Sequence, residues 1–160
     1  MRTLFIFIVT AFLFVGNTFA QETKSETRVK FDPTRDPAKD LAAAVKQASK
    51  AKKHILLDIG GEWCKWCHRL DEFIEADQEV KSALEKNFIL LKINVSKENA
   101  NEKFLSAYPK VPGYPHYIVL DKKGKFLFEQ GTDNFEGKDG AYYDKAKLIE
   151  FYTKIKLVAK

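Results

Sequence analysis

The chain has 160 residues and a formal net charge of +5, and its lysines are scattered among acidic neighbours. This pattern is typical of a solvated surface and does not indicate a nucleic-acid-binding protein. The length suits one domain. Only two residues are cysteines, and both lie within one six-residue stretch.

Residues 1–20 are predicted to be a signal peptide. Met1 and Arg2 form a short positive start, an apolar run from Leu4 to Val15 follows, and residues 17–20 supply the small residues that a signal peptidase reads. The run is about 12 residues long, whereas a membrane helix needs roughly 17–25. An uncleaved membrane anchor is the alternative. Export predicts a periplasmic or secreted protein in an oxidising compartment.

The rest of the chain begins with a polar lead-in over residues 21–35, with a short strand at 27–31, and continues as a domain over residues 36–160. Apolar spacing, caps and turn residues predict the secondary structure of that domain. In chain order the predicted elements are a helix at 37–51, a strand at 54–59, a helix at 64–76 continuing after a break to 86, a strand at 88–95, a helix at 97–107, strands at 116–120 and 125–130, and a helix at 144–158.

The order of these elements predicts an α/β fold with a central mixed β-sheet covered by helices on both faces. Residues 54–59 are a short, mainly apolar run bounded by lysines and glycines, which favours a strand buried on both faces, and residues 88–95 are predicted to be a second buried strand. Residues 108–115 are predicted to be a loop because they contain three prolines, and residues 132–143 a glycine-rich surface loop. No helix carries a long heptad pattern, which favours a monomer.

The two cysteines occupy a Cys-x-x-Cys motif at the start of a predicted helix, Trp63-Cys64-Lys65-Trp66-Cys67. Residues i and i+3 share one helix face, so the two sulfurs can reach each other. The free N–H groups and positive dipole of a helix N-terminus lower a cysteine pKa from about 8.5 to roughly 3.5–7.5. We therefore interpret Cys64 as the attacking thiolate and Cys67 as the resolving thiol.

Three alternatives use the same residues. A static structural disulfide is disfavoured because closing so short a loop removes little chain entropy. Attachment of c-type haem through Cys64, Cys67 and His68 fits the Cys-x-x-Cys-His pattern, but the only methionine is Met1 and cannot serve as a sixth ligand. A metal carrier would have these three adjacent ligands and no apparent fourth, so no metal site is predicted.

Four features together make the chain similar to the thioredoxin superfamily over roughly residues 36–158. They are the Trp-Cys-x-x-Cys motif, Tyr114-Pro115 ahead of a strand, Asp58 six residues before the first cysteine, and Lys92 in the next strand. Trp66 stands where thioredoxin has proline, which makes the motif more similar to exported bacterial thioredoxin-like proteins. The resemblance implies a thioredoxin fold.

The resemblance also implies roles for these residues. Asp58 would be buried, with its pKa raised by desolvation, and would take the proton of Cys67, with Lys92 tuning it. Asp58 at an exposed strand end is the alternative. Pro115 would be cis and would turn the backbone of Tyr114 towards the disulfide and a substrate peptide. The roles of His68 and His116 stay open.

The predicted function is therefore an exported thiol–disulfide oxidoreductase that favours reduction, with Cys64, Cys67, Asp58 and Lys92 as catalytic residues. Substrate would be bound by the residues around the pair: Trp63, Lys65, Trp66, Tyr114 and Pro115. The redox-active disulfide is the only cofactor expected. Partners would be protein or small-molecule disulfides or thiols, and a membrane or soluble redox partner that resets the pair. A thioredoxin-like module that binds peptides without turnover is the remaining alternative.

Overall fold

The structure is a computed structural model that describes residues 28–140 and 142–154. The predicted signal peptide, most of the lead-in and the end of the last predicted helix lie outside these residues. Along the chain the elements are α1 (Pro37–Ala51), β1 (His54–Gly60), α2 (Lys65–Ala76), α3 (Gln78–Asn87), β2 (Phe88–Asn94), α4 (Glu102–Leu105), β3 (His116–Leu120), β4 (Phe126–Gly131), a 3₁₀ turn (Thr132–Phe135) and α5 (Lys145–Lys154).

The helices begin at the caps that the sequence indicates. The Asp36 carboxylate accepts hydrogen bonds from the backbone N–H groups of Ala38 and Lys39, with proline following at the first helical position. Asp77 and Asp144 cap α3 and α5 in the same way. Because Asp77 ends α2 and begins α3, the predicted break between these helices is confirmed.

The four strands form one mixed sheet in the order β2-β1-β3-β4. β1 pairs in parallel with β2, while β3 is antiparallel to both β1 and β4. The register places Asp58 of β1 between Lys92 of β2 and Tyr117 of β3. Side chains alternate along a strand, so these three residues share one face of the sheet. The predicted mixed sheet with helices on both faces is confirmed.

Each face of the sheet carries its own hydrophobic core. Leu56, Tyr117 and Val119 pack with residues of α2, α3 and α5 on one face. Ile55, Leu57, Ile59 and other strand residues pack against α1 and the α4 region on the other. Asp58 therefore interrupts the first of these two apolar layers, directly beneath α2.

Three predictions from the sequence were wrong in detail. β2 is an edge strand paired only with β1, so Leu90 is exposed and the strand is not buried on both faces. The helix expected at 97–107 shrinks to four residues, because Asn101 adopts a left-handed φ of 50° just before it. Residues 28–31 form no strand.

The predicted surface loop at 132–143 is also more ordered and more buried than its glycines indicate. Thr132 and Phe135 are buried in the 3₁₀ turn, and Tyr143 is buried beside a β-bridge to Glu136. The Thr132 hydroxyl donates to the Pro115 carbonyl oxygen at 2.8 Å. This segment thereby supports the loop before β3. Within the described residues, none of the helices has the length and apolar composition needed to cross a membrane.

Candidate active site

Cys64 and Cys67 form a disulfide at the N-terminus of α2, with their Cα atoms 5.3 Å apart. Cys64 is the N-cap of the helix, and its Sγ accepts a hydrogen bond from the Cys67 backbone N–H at 3.1 Å. A backbone donor aimed at a sulfur favours the thiolate once the disulfide is reduced. Cys64 is 4% exposed and Cys67 1%, so Cys64 is the more accessible of the two residues.

Asp58 lies in the interior with its carboxylate paired to Lys92. Lys92 Nζ donates to Asp58 Oδ2 at 2.9 Å, and the two side chains are each 4% exposed. Burial raises the pKa of Asp58 despite the attraction of Lys92. Among the described residues Asp58 Oδ1 has no hydrogen-bond partner. The carboxyl group therefore has an open position for a proton.

A second buried carboxylate, Asp71 of α2, was missed by the sequence analysis. It accepts a hydrogen bond from Lys92 Nζ at 2.6 Å, so one ammonium group serves two carboxylates. Burial alone lowers the pKa of Lys92, but the two carboxylates outweigh it and raise that pKa. The apolar stripe of α2 runs through Cys67, Leu70 and Ile74, and Asp71 occupies a position on it. The sequence signal that could have identified Asp71 is a carboxylate within the apolar stripe of a helix.

The cluster extends to Arg28 in the segment before α1. Arg28 donates to Asp71 Oδ2 at 2.8 Å and to Glu62 Oε2 at 2.5 Å. Glu62 also accepts the Phe31 backbone N–H at 2.8 Å. Sequence reasoning could not find Arg28, because it lies 43 residues from Asp71 along the chain.

Aromatic side chains surround the sulfurs. Phe31 is 1% exposed and forms a buried cluster with Cys64 and Cys67, against which Trp66 and Tyr114 pack. A Cβ atom at Gly60 would lie 2.6 Å from Cys67 Sγ and 2.9 Å from Phe31 Cζ. A side chain larger than that of glycine would therefore overlap the sulfur and the ring, which both lie against the backbone of β1.

The aromatic residues predicted to contact substrate lie around the pair, with Tyr114 between Trp63 and the cleft that Trp66 lines. The Tyr114–Pro115 peptide bond is cis. Trp63 is 60% exposed, packs edge-on against Tyr114 with ring centroids 5.6 Å apart, and donates from Nε1 to the Val95 carbonyl oxygen. Trp63 and Tyr114 thus form one aromatic surface beside the disulfide.

Trp66 lies at a cleft that Tyr114 also lines. It packs edge-on against Tyr143, lies under the Arg69 guanidinium at 4.6 Å, and helps to line a cleft of about 300 Å³ with Tyr114 and Pro115. Lys65 is exposed. The structure therefore brings Trp66 to the cleft beside the cis-proline, while Lys65 lies on the solvent side of α2.

The histidines have local partners. His68 is half-buried with Nε2 2.8 Å from the Glu62 carbonyl oxygen, and the buried His116 pairs with the Glu129 carboxylate. Over residues 28–140 and 142–154, no group of three or more histidine, cysteine, aspartate or glutamate residues has the arrangement of a metal site.

Comparison with known proteins gives consistent results at the sequence level. A family model described as thioredoxin-like matches residues 36–122. The disulfide bond reductase DsbH of Chlamydia pneumoniae is 26% identical over 114 residues, which cover 66% of this chain and 68% of that protein. The thiol:disulfide interchange protein DsbD of Actinobacillus pleuropneumoniae is 27% identical over 88 residues, or 55% of this chain. The matched part is only 15% of that DsbD.

Solved structures agree with the fold. The disulphide isomerase from Xylella fastidiosa Temecula1 superposes with a TM-score of 0.65 and 25% identity, covering 79% of this chain and 95% of that one.

Proposed function

The chain belongs to the thioredoxin-like family and is a thiol–disulfide oxidoreductase, and we propose that it works as a reductase outside the cytoplasm. The proposed catalytic residues are Cys64, Cys67, Asp58 and Lys92. The observation that carries the direction is the buried Asp58 carboxyl, whose pKa is raised and whose Oδ1 is unpaired among the described residues.

The reaction proceeds by two exchanges of disulfide bonds. The Cys64 thiolate attacks one sulfur of the substrate disulfide, forming a mixed disulfide and releasing the other sulfur as a thiolate. Cys67 then loses its proton and attacks Cys64 Sγ. The Cys64–substrate bond breaks, the second substrate sulfur leaves as a thiolate, and the Cys64–Cys67 disulfide forms. Two electrons pass from the protein to the substrate.

Asp58 favours the reducing direction because the second exchange needs a base for Cys67. An ordinary aspartate is a weak base near neutral pH, whereas desolvation strengthens it. Asp58 shares a face of β1 with Gly60, which lies against Cys67 Sγ. Lys92 holds the carboxylate once it is ionised, so the pair tunes the basicity of Asp58.

The aromatic surface of Trp63 and Tyr114 and the cleft beside Pro115 are the proposed binding region for substrate. Their mixture of ring faces and backbone groups suits a peptide segment next to a cysteine. We propose protein or small-molecule disulfides as substrates and a membrane or soluble thiol partner that restores the dithiol. Export rests on the apolar leader at Leu4–Val15.

The test is a trapping experiment with Cys67→Ser. Without the resolving thiol, the mixed disulfide on Cys64 should persist, so the variant should accumulate covalent adducts with its partners that dithiothreitol releases. Cys64→Ser is the matched control and should trap nothing. Recovery of Cys67→Ser as free protein only, where a control thioredoxin variant is trapped, would contradict the mechanism.

Insulin reduction combined with equilibration against glutathione separates the directions. A reductase should reduce insulin and, because its reduction potential is low, should be largely oxidised in a glutathione buffer that leaves an oxidase reduced. An inactive chain that still binds peptides would support the non-catalytic module instead. Attachment of haem is no longer needed to explain the Cys-x-x-Cys motif, because membership in the thioredoxin-like family accounts for it.

A further inference from the structure

Residues 28–31 cross the site on the side of the disulfide that faces the sheet, and nothing in the proposed mechanism uses them. We propose that these residues form an arm that closes the buried side of the Cys64–Cys67 pair, with the Phe31 ring as the closure and Arg28 as its latch. In this proposal Phe31 and Arg28 are positioning residues for the resolving step.

The closure is visible in the contacts of the Phe31 ring with β1. Its edge meets the backbone of β1 at Gly60, where an added Cβ would lie 2.9 Å from Cζ and 3.1 Å from Cε1. The same Cβ would lie 2.6 Å from Cys67 Sγ. Ring and sulfur are thus neighbours over one glycine, and Phe31 forms a wall of the space that holds Cys67.

The face of the Phe31 ring contacts the buried charge of Lys92. Lys92 Nζ lies 4.1 Å from the ring centroid, a distance at which an ammonium group is attracted to an aromatic face. The same nitrogen binds both Asp58 and Asp71. Phe31 therefore contacts the sulfur pair and the buried ion cluster at once, and its loss would admit water to both.

The latch joins the arm to both flanks of the cysteine motif. Arg28 binds Glu62, two residues before Cys64, and Asp71, four residues after Cys67. Glu62 holds the arm a second time through the Phe31 backbone N–H. Although partial burial works against it, hydrogen bonds from Arg28 and Phe31 lower the pKa of Glu62, so this carboxylate stays charged at neutral pH.

The arm matters for the chemistry because it keeps water from Asp58. The other groups that act on this carboxyl are Lys92 on β2, Asp71 on α2, Tyr117 on β3, and Tyr152 and Tyr143 from the C-terminal part of the chain. The charge of Arg28, within the arm itself, lowers the pKa of Asp58. Removing the Phe31 ring while Arg28 stays in place should hydrate the site, bring the pKa of Asp58 down towards its ordinary value, and shift the pH profile of the resolving step to lower pH. This consequence rests on the proposed function.

The test itself uses the thiol chemistry of Cys67 and needs no substrate. In the full chain carrying Cys64→Ser, Cys67 is the only thiol, and its alkylation by iodoacetamide is followed by mass spectrometry across the neutral pH range. Arg28→Gln removes the latch. Lys30→Gln removes the same charge from an exposed residue of the same arm, so it is the matched control.

We expect Arg28→Gln to speed alkylation by about tenfold, the change in an opening equilibrium that loss of a charge-assisted hydrogen bond produces. Phe31→Ala should give at least the same increase, and Lys30→Gln should match the parent. Near-ultraviolet circular dichroism checks folding, and Arg28→Gln decides the result if Phe31→Ala does not fold. Equal rates in the parent, Arg28→Gln and Lys30→Gln would overturn the proposal.

The two proposals fail separately. Faster alkylation in Arg28→Gln together with failure of the Cys67→Ser trap would leave the arm standing and reject the reductase mechanism. Successful trapping with an unchanged alkylation rate would keep the mechanism and reject the arm. With both confirmed, the pH profile of the resolving step in Phe31→Ala, which keeps the Arg28 charge, should lie at lower pH than that of Lys30→Gln, whereas a purely structural role would lower only thermal stability.

Discussion

Lys92→Met should destabilise the protein strongly at neutral and alkaline pH. The substitution leaves two carboxylates, Asp58 and Asp71, without the ammonium group that both now share at 2.9 and 2.6 Å. The side chains of all three residues are no more than 7% exposed, so water screens them little. Removing one partner from such a buried group costs about 3–5 kcal/mol in the free energy of unfolding.

The effect should depend on pH in a defined direction. The pKa of Asp58 is already raised above its unfolded value of 3.8, and loss of Lys92 raises it further. A carboxyl with a raised pKa in the folded state contributes stability that is present below the unfolded pKa and is lost as pH rises through the folded pKa. The variant should therefore be closest to the wild type in acid, where the wild type retains a buried Lys92 beside a neutral Asp58.

Urea unfolding of the oxidised proteins, followed by tryptophan fluorescence at about pH 5 and about pH 8, measures both quantities. Lys97→Met, at an exposed lysine shortly after β2, should change stability by less than about 0.5 kcal/mol. A deficit in Lys92→Met that is equal at the two pH values, or no larger than that of Lys97→Met, would refute the charge cluster as described.

Three further predictions concern the same site. Asp58→Asn should stabilise the protein at about pH 8 by roughly 1–3 kcal/mol, because a buried carboxylate oxygen lacks a partner among the described residues. The same variant should slow resolution of a mixed disulfide by up to about 100-fold in stopped-flow assays, because it removes the base for Cys67. Gly60→Ala should cost about 1–3 kcal/mol in urea unfolding, since its Cβ would overlap Cys67 Sγ, whereas Gly113→Ala, with open space around it, should be neutral. Trp63→Ala should raise the KM for insulin by roughly 2–10-fold, the value of one aromatic contact, and leave equilibration with dithiothreitol unchanged; an unchanged KM would remove Trp63 from the binding surface.

The order of elements and the sheet class followed from local patterns in the sequence. Asp36 and Asp77 begin helices because an aspartate side chain caps free N–H groups within the next three residues. The Cys-x-x-Cys spacing likewise acts over a single helical turn. Features with such short range can be predicted without knowing which strands become neighbours.

The errors arose where distant segments decide the outcome. β2 has the apolar run of a central strand, yet it has only one partner strand, which leaves Leu90 exposed. Residues 132–143 have a loop composition, but Thr132 bonds to Pro115 and Phe135 enters the core between β3 and α5. Side-chain identity does not specify such neighbours.

Some residues of the site were likewise predicted from the sequence and others were not. Asp58 and Lys92 could be paired because the resemblance to thioredoxins supplied their partnership. Asp71 could have been noticed from its place in the apolar stripe of α2, but Phe31 and Arg28 carry no local signal. Phe31 reaches the disulfide from 33 residues before Cys64, and only the fold brings them together.

The buried ions also determine how the protein responds to the salinity of its medium. Two cations, Arg28 and Lys92, meet three acidic groups, Asp58, Asp71 and Glu62, so a single proton on Asp58 makes the group electrically neutral. The side chains of Lys92, Asp58 and Asp71 are no more than 7% exposed, so dissolved ions hardly screen the charges nearest to the two sulfurs. The intramolecular exchange between the two sulfurs should therefore keep nearly the same speed from dilute buffer to seawater, while encounters with charged partners would vary.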